Sequence, residues 1–172
     1  MKIRDASVED AQAIARLTVD TWKTAYRGII DDNYLNNLTY EEREKGWREF
    51  PFHDSFVLAA EDENGNIIGF AAGGPQREEG SEYEGELYAI YIYQEHQRKG
   101  MGQALFGLFA KKLAQTGVNS LMLWVLSESP YRKFYEKLGG QMGGSKLLEM
   151  EGFANQITVY GWPDIGSMLS KQ

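Results

Sequence analysis

One stretch near the middle of the chain constrains the fold more than any other: a strand-like run, a glycine turn and an amphipathic helix in direct succession. The apolar run 86–93 leads into the turn 97–102, after which Leu105, Phe109 and Leu113 recur at helical spacing. Glycines allow a ligand to approach the backbone closely, and the N-terminus of a helix offers unpaired N–H groups. The stretch therefore predicts a binding site for a phosphate-bearing ligand such as a pyrophosphate.

Two familiar phosphate-binding motifs do not fit this turn. The P-loop pattern Gly-x-x-x-x-Gly-Lys-Ser/Thr is absent, and the dinucleotide fingerprint requires a third small residue where Leu105 stands. Met122, about 20 residues further on, cannot act as the ribose-binding carboxylate of that fingerprint. The ligand is therefore expected to belong to another class.

Several other runs predict strands. Residues 56–60 and 67–71 flank a polar segment with the Asn64-Gly65 step, which favours an antiparallel hairpin. The uniformly apolar run 121–126 is too short for an independent helix and predicts a buried strand. Residues 145–150 and 156–162 predict two further strands near the end of the chain.

Helix signals occupy the first third and the region after the run 121–126. A capping box at Ser7–Asp10 starts a first helix near Val8, and Thr39 can cap a second helix that carries Trp47. Ser129-Pro130 fits the N-cap and first position of a later helix. Alternating strands and helices predict an α/β fold.

Length and charge exclude several classes of protein. The 172 residues suit one domain, 1–172, since domains commonly contain ~100 to 200 residues. A net charge of −7 disfavours nucleic acid as a partner. No cysteine is present to form a disulfide or a thiolate zinc site, and no metal is predicted. No apolar run approaches the ~18 residues of a membrane span, and Met1–Asp5 has none of the features of a signal peptide, so a cytoplasmic location is expected.

Residues 86–105 resemble motif A of the GNAT superfamily of N-acetyltransferases, Arg/Gln-x-x-Gly-x-Gly/Ala. Gln97, Gly100 and Gly102 occupy the three defining positions. The segment 123–140 is similar to motif B of the same superfamily, and residues 22–35 resemble the first helices of one bacterial branch. The resemblance thus extends over nearly the whole chain, and motif A is its most specific part.

This resemblance implies a mixed, mostly antiparallel sheet that splays into a V-shaped cleft, flanked by helices, with acetyl-CoA as cosubstrate. Backbone groups of Ile90, Tyr91 and Ile92 would contact the acetyl and pantetheine part. The pyrophosphate would be wrapped by Arg98, Lys99, Gly100, Met101, Gly102 and Gln103. Ser129 stands where many members have an asparagine that contacts the CoA arm, and it can either make that contact or only cap the helix.

The resemblance also suggests the catalytic pair. Tyr135 would protonate the departing thiolate, although its position on an apolar helix face equally predicts core packing. Acetyl transfer requires a neutral amine, so a base must accept a proton, and Glu86 lies at the offset from Gln97 at which some members carry a glutamate base. By strict strand alternation Glu86, Tyr88, Ile90 and Ile92 would share one face. Three alternatives remain: Glu86 is only a solvated residue at a strand end, a water chain is the base, or His96 is the titratable group. A histidine in a polar loop is more often only solvated.

The acceptor is expected to be a primary amine, on a small cationic molecule or a peptide. Its binding side would be lined by Trp22, Tyr26, Tyr83 and Tyr88, with the acidic run Glu78, Glu79, Glu82 and Glu84 favouring cations. The same run can instead be a solvated face. Direct attack on acetyl-CoA by the amine is predicted, without a covalent acyl-enzyme. The main alternative is a catalytically silent acyl-CoA sensor, and a homodimer is compatible with the resemblance.

Overall fold

A computed structural model of the chain describes residues 2–170. Its centre is a seven-stranded sheet with the spatial order β1-β2-β3-β4-β5-β7-β6. The strands are β1 (Lys2–Asp5), β2 (Phe56–Glu61), β3 (Ile67–Pro75), β4 (Gly85–Ile92), β5 (Leu121–Leu126), β6 (Gln141–Met150) and β7 (Phe153–Trp162). All neighbouring strands are antiparallel except β4 and β5, so the predicted mixed, mostly antiparallel sheet is confirmed.

Within the described part of the chain, six α-helices flank the sheet: α1 (Ala11–Ala25), α2 (Asp32–Asn37), α3 (Tyr40–Arg48), α4 (Met101–Gln115), α5 (Arg132–Lys137) and α6 (Ile165–Leu169). The predicted capping box at Ser7 is present, although it starts a 3₁₀ turn at Val8–Asp10 that leads into α1. Thr39 caps α3 as predicted, since its hydroxyl accepts a hydrogen bond from the Glu42 N–H. Gly117, with φ of 88°, follows the end of α4 in the left-handed conformation.

The sheet is interrupted in its middle. β4 and β5 pair only through Gly85 with Leu121 and Glu86 with Met122. Beyond Glu86, β4 continues to pair with β3, and β5 pairs with β7 along its full length. The two half-sheets therefore diverge after one short contact and leave a cleft between two open strand edges.

A β-bulge in β4 lies beside this divergence. Ala72 of β3 pairs with Ala89 and the next residue, Gly73, pairs with Leu87, which leaves Tyr88 without a partner. A bulge shifts the alternation of side chains by one residue. The prediction that Glu86, Tyr88, Ile90 and Ile92 share one face is therefore wrong.

The hydrophobic clusters show the two faces of β4. Leu87 packs with Ile90 and Ile92 in the cluster around α4, whereas Ala89 and Tyr91 pack in the cluster around α1. Glu86, the neighbour of Leu87, consequently points to the α1 side together with Ala89 and Tyr91. The bulge thus places the carboxylate on the face opposite to the one expected.

One helix boundary also differs from the prediction. The Ser129 hydroxyl accepts a hydrogen bond from the Tyr131 N–H at 3.2 Å, as expected of a cap, but this bond closes a single turn. The regular helix α5 begins only at Arg132, with Tyr131 as its N-cap. Across residues 2–170, no helix combines the length and apolar character needed to cross a bilayer.

Candidate active site

The glycine turn 97–100 has the backbone geometry that a close ligand approach requires. Gly100 is the N-cap of α4 with φ of 83°, and Arg98 has φ of 60°, the only positive φ among the described residues other than glycine. The first bond of the α4 ladder joins the Ala104 N–H to the Gly100 carbonyl. The amides of residues 101–103 therefore precede the ladder and are available to a ligand.

Two side chains fix this turn in the fold. The Gln97 amide donates to the Ile92 carbonyl at 2.9 Å, which ties the turn to the end of β4. The Tyr131 hydroxyl donates to Gln97 Oε1 at 3.4 Å from the α5 side. A Cβ added at Gly102 would lie 3.1 Å from the Phe134 ring, so glycine lets α4 and α5 approach closely.

The residues expected to wrap a pyrophosphate differ in exposure. Arg98, Lys99, Gly100 and Gln103 are exposed, whereas the Met101 side chain is buried in the core. Met101 can therefore meet a ligand only through its backbone. Ser129 is buried as well, and its oxygen accepts from the Tyr131 N–H.

Ile90, Tyr91 and Ile92 lie on the open edge of β4. Each pairs with a residue of β3 on one side, while the pairing with β5 on the other side has already ended at Glu86. Backbone groups along this edge have no strand partner. Apart from the Ile92 carbonyl, which accepts from Gln97, they can bond to an extended ligand in the cleft.

A cavity of about 470 Å³ opens where the two half-sheets diverge, a size within the range of small-molecule sites. It is lined by Trp22, Tyr26, Arg77, Glu78, Glu86, Leu87, Tyr88, Ala89, Ile90, Tyr91, Leu123, Trp124, Val125, Leu126, Tyr135, Lys146, Leu148, Phe153 and Ile157. The structure thus brings Glu86 and Tyr135, the two predicted catalytic residues, to the wall of one cavity.

Glu86 is buried, with a side chain only 4% exposed, and it is paired with Arg77. Glu86 Oε2 accepts from the Arg77 backbone N–H and Nε, both at 3.2 Å, and Oε1 accepts from Arg77 Nη2 at 2.7 Å. The Arg77 guanidinium also lies 3.9 Å from the centroid of the Tyr88 ring. Since each carboxylate oxygen has two acceptor sites, Oε1 retains one for a further donor.

Tyr135 reaches the cavity from α5. Its ring contacts Phe134 and Tyr160, with centroids 5.3 and 6.1 Å apart. Burial raises the pKa of Tyr135 well above its usual value of 10.0, with a smaller contribution from Tyr91. A neutral phenol is therefore maintained over the physiological range and can donate a proton.

The predicted acceptor-side residues are only partly brought together. Trp22, Tyr26, Tyr88 and Glu78 line the cavity. Tyr83 does not, because its hydroxyl occupies the space beside Gly161. Glu84 accepts a hydrogen bond from the Asn119 N–H, away from the cavity. Glu79 and Glu82 are exposed and do not line it, so the acidic run does not act there as a group.

The sequence reasoning missed both cations of the cavity, Arg77 and Lys146, and the ring of Trp124 as part of its wall. Arg77 precedes the acidic run and belongs to no recognisable motif. Lys146 lies on the edge strand β6, where a lysine is ordinary. Only the tertiary fold reveals that these residues meet at one site.

Comparison with known proteins agrees with this geometry. Residues 19–140 match the acetyltransferase (GNAT) family model. The uncharacterized N-acetyltransferase YuaI of Bacillus subtilis (strain 168) is 39% identical over 166 residues, which is 96% of this chain and 95% of that protein.

Two solved structures share the fold. The PaiA N-acetyltransferase of Thermoplasma acidophilum, in complex with coenzyme A, has a TM-score of 0.68 and 21% identity over 94% of this chain and 98% of that one. The ribosomal-protein-alanine N-acetyltransferase of Brucella melitensis has a TM-score of 0.71 and 20% identity over 94% and 99%. The splayed sheet, the glycine turn and the family match over most of the chain together identify this protein as a member of the GNAT family of acetyltransferases, the acetyl-CoA-dependent N-acetyltransferases.

Proposed function

We propose that the protein transfers the acetyl group of acetyl-CoA directly to a primary amine bound in the cavity between β4 and β5. The observation that carries this proposal is the convergence of Glu86 and Tyr135 on that cavity. The residues present fit the cosubstrate: the open edge at Ile90–Ile92 suits an extended arm, and the turn before α4 suits a pyrophosphate. Bound acetyl-CoA supplies an activated acyl group with a thiol as its leaving group.

Two proton transfers are assigned to residues of the chain. Glu86 Oε1 accepts the proton of the amine, directly or through one water, as the nitrogen forms its bond to the acetyl carbon. The Tyr135 hydroxyl donates its proton to the sulfur as the C–S bond breaks, so that free CoA leaves as a thiol. The Glu86 proton and the Tyr135 phenolate then neutralise each other through solvent, which restores both groups.

Arg77 has a defined part in this arrangement. Burial is the largest single influence on Arg77 and works against its charge, but the hydrogen bonds and charge attraction to Glu86, with smaller contributions from Tyr88 and Glu78, together raise the pKa of Arg77. The guanidinium therefore stays charged and holds the carboxylate in place. Arg77 is a positioning residue, and Glu86 is the group that meets the amine.

The acceptor classes predicted from the sequence were small cationic amines and peptide amino groups. Three of the four glutamates behind that prediction do not line the cavity, and the fourth, Glu78, is paired with Lys146. The proposed acceptor is therefore a primary amine, and it needs no additional positive charge to bind in the cavity. Acetylation is assayed by CoA release across polyamines, amino acids and short peptides, with product mass verifying one added acetyl group.

Glu86→Gln is the sharpest variant for this proposal because it keeps the size of the side chain and removes its basicity. We expect kcat to fall at least about tenfold, since general acid or base assistance is worth ~10²- to 10⁴-fold. Acetyl-CoA affinity by calorimetry should not change. Unaltered kcat, with chemistry rate-limiting, removes Glu86 from the mechanism. Tight acetyl-CoA binding without turnover of any amine favours the sensor alternative.

A further inference from the structure

The charges of the cavity wall form two matched pairs. The two cations, Arg77 and Lys146, are each bonded to a carboxylate of the chain, Glu86 and Glu78 respectively. The wall is therefore not an anionic surface that would select for positive charge. Each cation of the wall instead binds one carboxylate.

The two pairs differ in how firmly they are held. The Glu86 side chain is 4% exposed and accepts three hydrogen bonds from Arg77. The side chains of Lys146 and Glu78 are each 42% exposed. Exposed ion pairs contribute little to stability, so Lys146 can exchange Glu78 for another carboxylate at small cost. Arg77 cannot release Glu86 so easily, because a buried charge would lose its partner.

The exchangeable pair spans the cavity. Glu78 lies in the loop between β3 and β4, and Lys146 lies on β6, so the two come from opposite half-sheets. The Trp124 ring also positions Lys146, since the Lys146 Nζ lies 4.3 Å from the centroid of that ring. A ligand that reaches the cavity between the half-sheets therefore meets an ammonium group that the fold already holds in place.

A donor without a partner lies in the same wall. The buried Trp124 Nε1–H has no hydrogen-bond acceptor among residues 2–170. An indole N–H can only donate, and a buried one usually finds an oxygen.

From these contacts we propose that the acceptor is a small amino carboxylic acid with an apolar side chain. Its amine faces Glu86, and its carboxylate takes the place of Glu78 on Lys146. The apolar side chain packs against the aromatic and aliphatic wall formed by Trp22, Phe153 and Leu148. This inference rests on the proposed acetyl transfer and specifies the substrate class of that same site.

Matched acceptor pairs test the inference directly. Phenylalanine is compared with phenethylamine, and tryptophan with tryptamine, so that each pair differs only in the carboxylate. We expect kcat/KM to be at least about tenfold higher for the amino acid of each pair. Equal or higher kcat/KM for the decarboxylated amines overturns the inference.

Variants then assign the preference to one residue. Lys146→Met should abolish the preference by lowering kcat/KM for the amino acids only, and Lys146→Arg should partly retain it. Glu78→Gln should raise kcat/KM for the amino acids about two- to fivefold, because the competing carboxylate is removed. Lys111→Met, an exposed lysine of α4 outside the cavity, is the matched control. A Lys146→Met variant that lowers kcat/KM equally for both members of each pair overturns the assignment.

Calorimetric titration of the same pairs into protein saturated with CoA separates this inference from the proposed function. Binding that depends on the carboxylate and on Lys146, without acetyl transfer, contradicts the proposed function alone. Acetyl transfer without any dependence on the carboxylate contradicts this inference alone.

Discussion

The two ends of the cleft are built by different means. The proposed cofactor end consists mostly of backbone: the turn 97–100, the first amides of α4 and the open edge of β4. The proposed acceptor end consists of side chains from α1, four strands, α5 and the loop after β3. A backbone site recognises a ligand part common to all reactions of the family, whereas a side-chain site can change its specificity by single substitutions.

The contrast extends to distance along the sequence. Gln97 and Ile92, which anchor the cofactor turn, are five residues apart. Lys146 and Glu78, which meet across the acceptor cavity, are 68 residues apart. Changes at the cofactor end should therefore alter affinity for acetyl-CoA, and changes at the acceptor end should alter turnover or acceptor choice.

The largest expected effect comes from Tyr135→Phe, which removes the hydroxyl and keeps the ring in its packing. We expect kcat to fall about 10²-fold or more, in line with the loss of a general acid. Calorimetry should show unchanged acetyl-CoA affinity. Tyr34→Phe, on α2 outside the cavity, is the control and should retain wild-type kcat. A weakened affinity for acetyl-CoA, with kcat intact, would place Tyr135 at the cofactor end instead.

The pH dependence sharpens the same assignment. Since burial raises the pKa of Tyr135, the protonated donor persists through and above pH ~10, the ordinary value for tyrosine. No alkaline loss of kcat attributable to this group is expected below that pH. A loss that begins at lower pH and disappears in Tyr135→Phe would contradict the assignment.

An intermediate effect is expected for Gly100→Val. The bulky side chain should block ligand approach to the first amides of α4 and lower acetyl-CoA affinity about tenfold, equivalent to one or two hydrogen bonds at ~1 kcal/mol each. Gly65→Val is a matched control, because Gly65 also has φ of 83° and open space around a Cβ, but lies in the hairpin turn. The thermal unfolding temperature should fall by a similar amount in both variants. Equal acetyl-CoA affinity in the two folded variants would eliminate the turn as the pyrophosphate site.

The smallest effect is expected for Gln97→Leu. It removes the hydrogen bond to the Ile92 carbonyl, worth ~0.5 to 1.5 kcal/mol, and should weaken acetyl-CoA binding about threefold with kcat unchanged. Gln94→Leu alters an exposed residue just before the turn and should leave binding at the wild-type level. A drop in kcat instead would show that the two ends of the cleft are coupled through β4.

The sequence predicted most of the elements because their signals are local. The run Leu121–Leu126 forms β5 with the predicted bounds, and Thr39 caps α3 as expected. The bulge at Tyr88 was not predictable in this way, since it arises from the pairing of β4 with β3 rather than from β4 itself. The assumption of strict side-chain alternation therefore assigned Glu86 to the wrong face of β4.

The acceptor end shows the same limit more strongly. Glu86 and Tyr135 were found through motif positions, but Arg77 and Lys146 have no motif and acquire their meaning only from contacts between distant segments. The acidic run was interpreted as one electrostatic unit because its members are adjacent in sequence. In the fold, Glu78 contacts Lys146 and Glu84 contacts Asn119, so neighbours in sequence serve different parts of the molecule.

The short contact between β4 and β5 has a consequence for resistance to unfolding. With only two residue pairs joining these strands, the ladder is incomplete at the centre of the sheet. A cosubstrate that bonds to the open edge supplies part of the missing ladder, and a ligand that binds only the native state stabilises it by ~2.7 kcal/mol at a concentration 100 times its dissociation constant. The thermal stability of this enzyme should therefore rise with the concentration of acetyl-CoA. Molecules in a cell rich in acetyl-CoA would then resist unfolding better than those in a cell that is short of it.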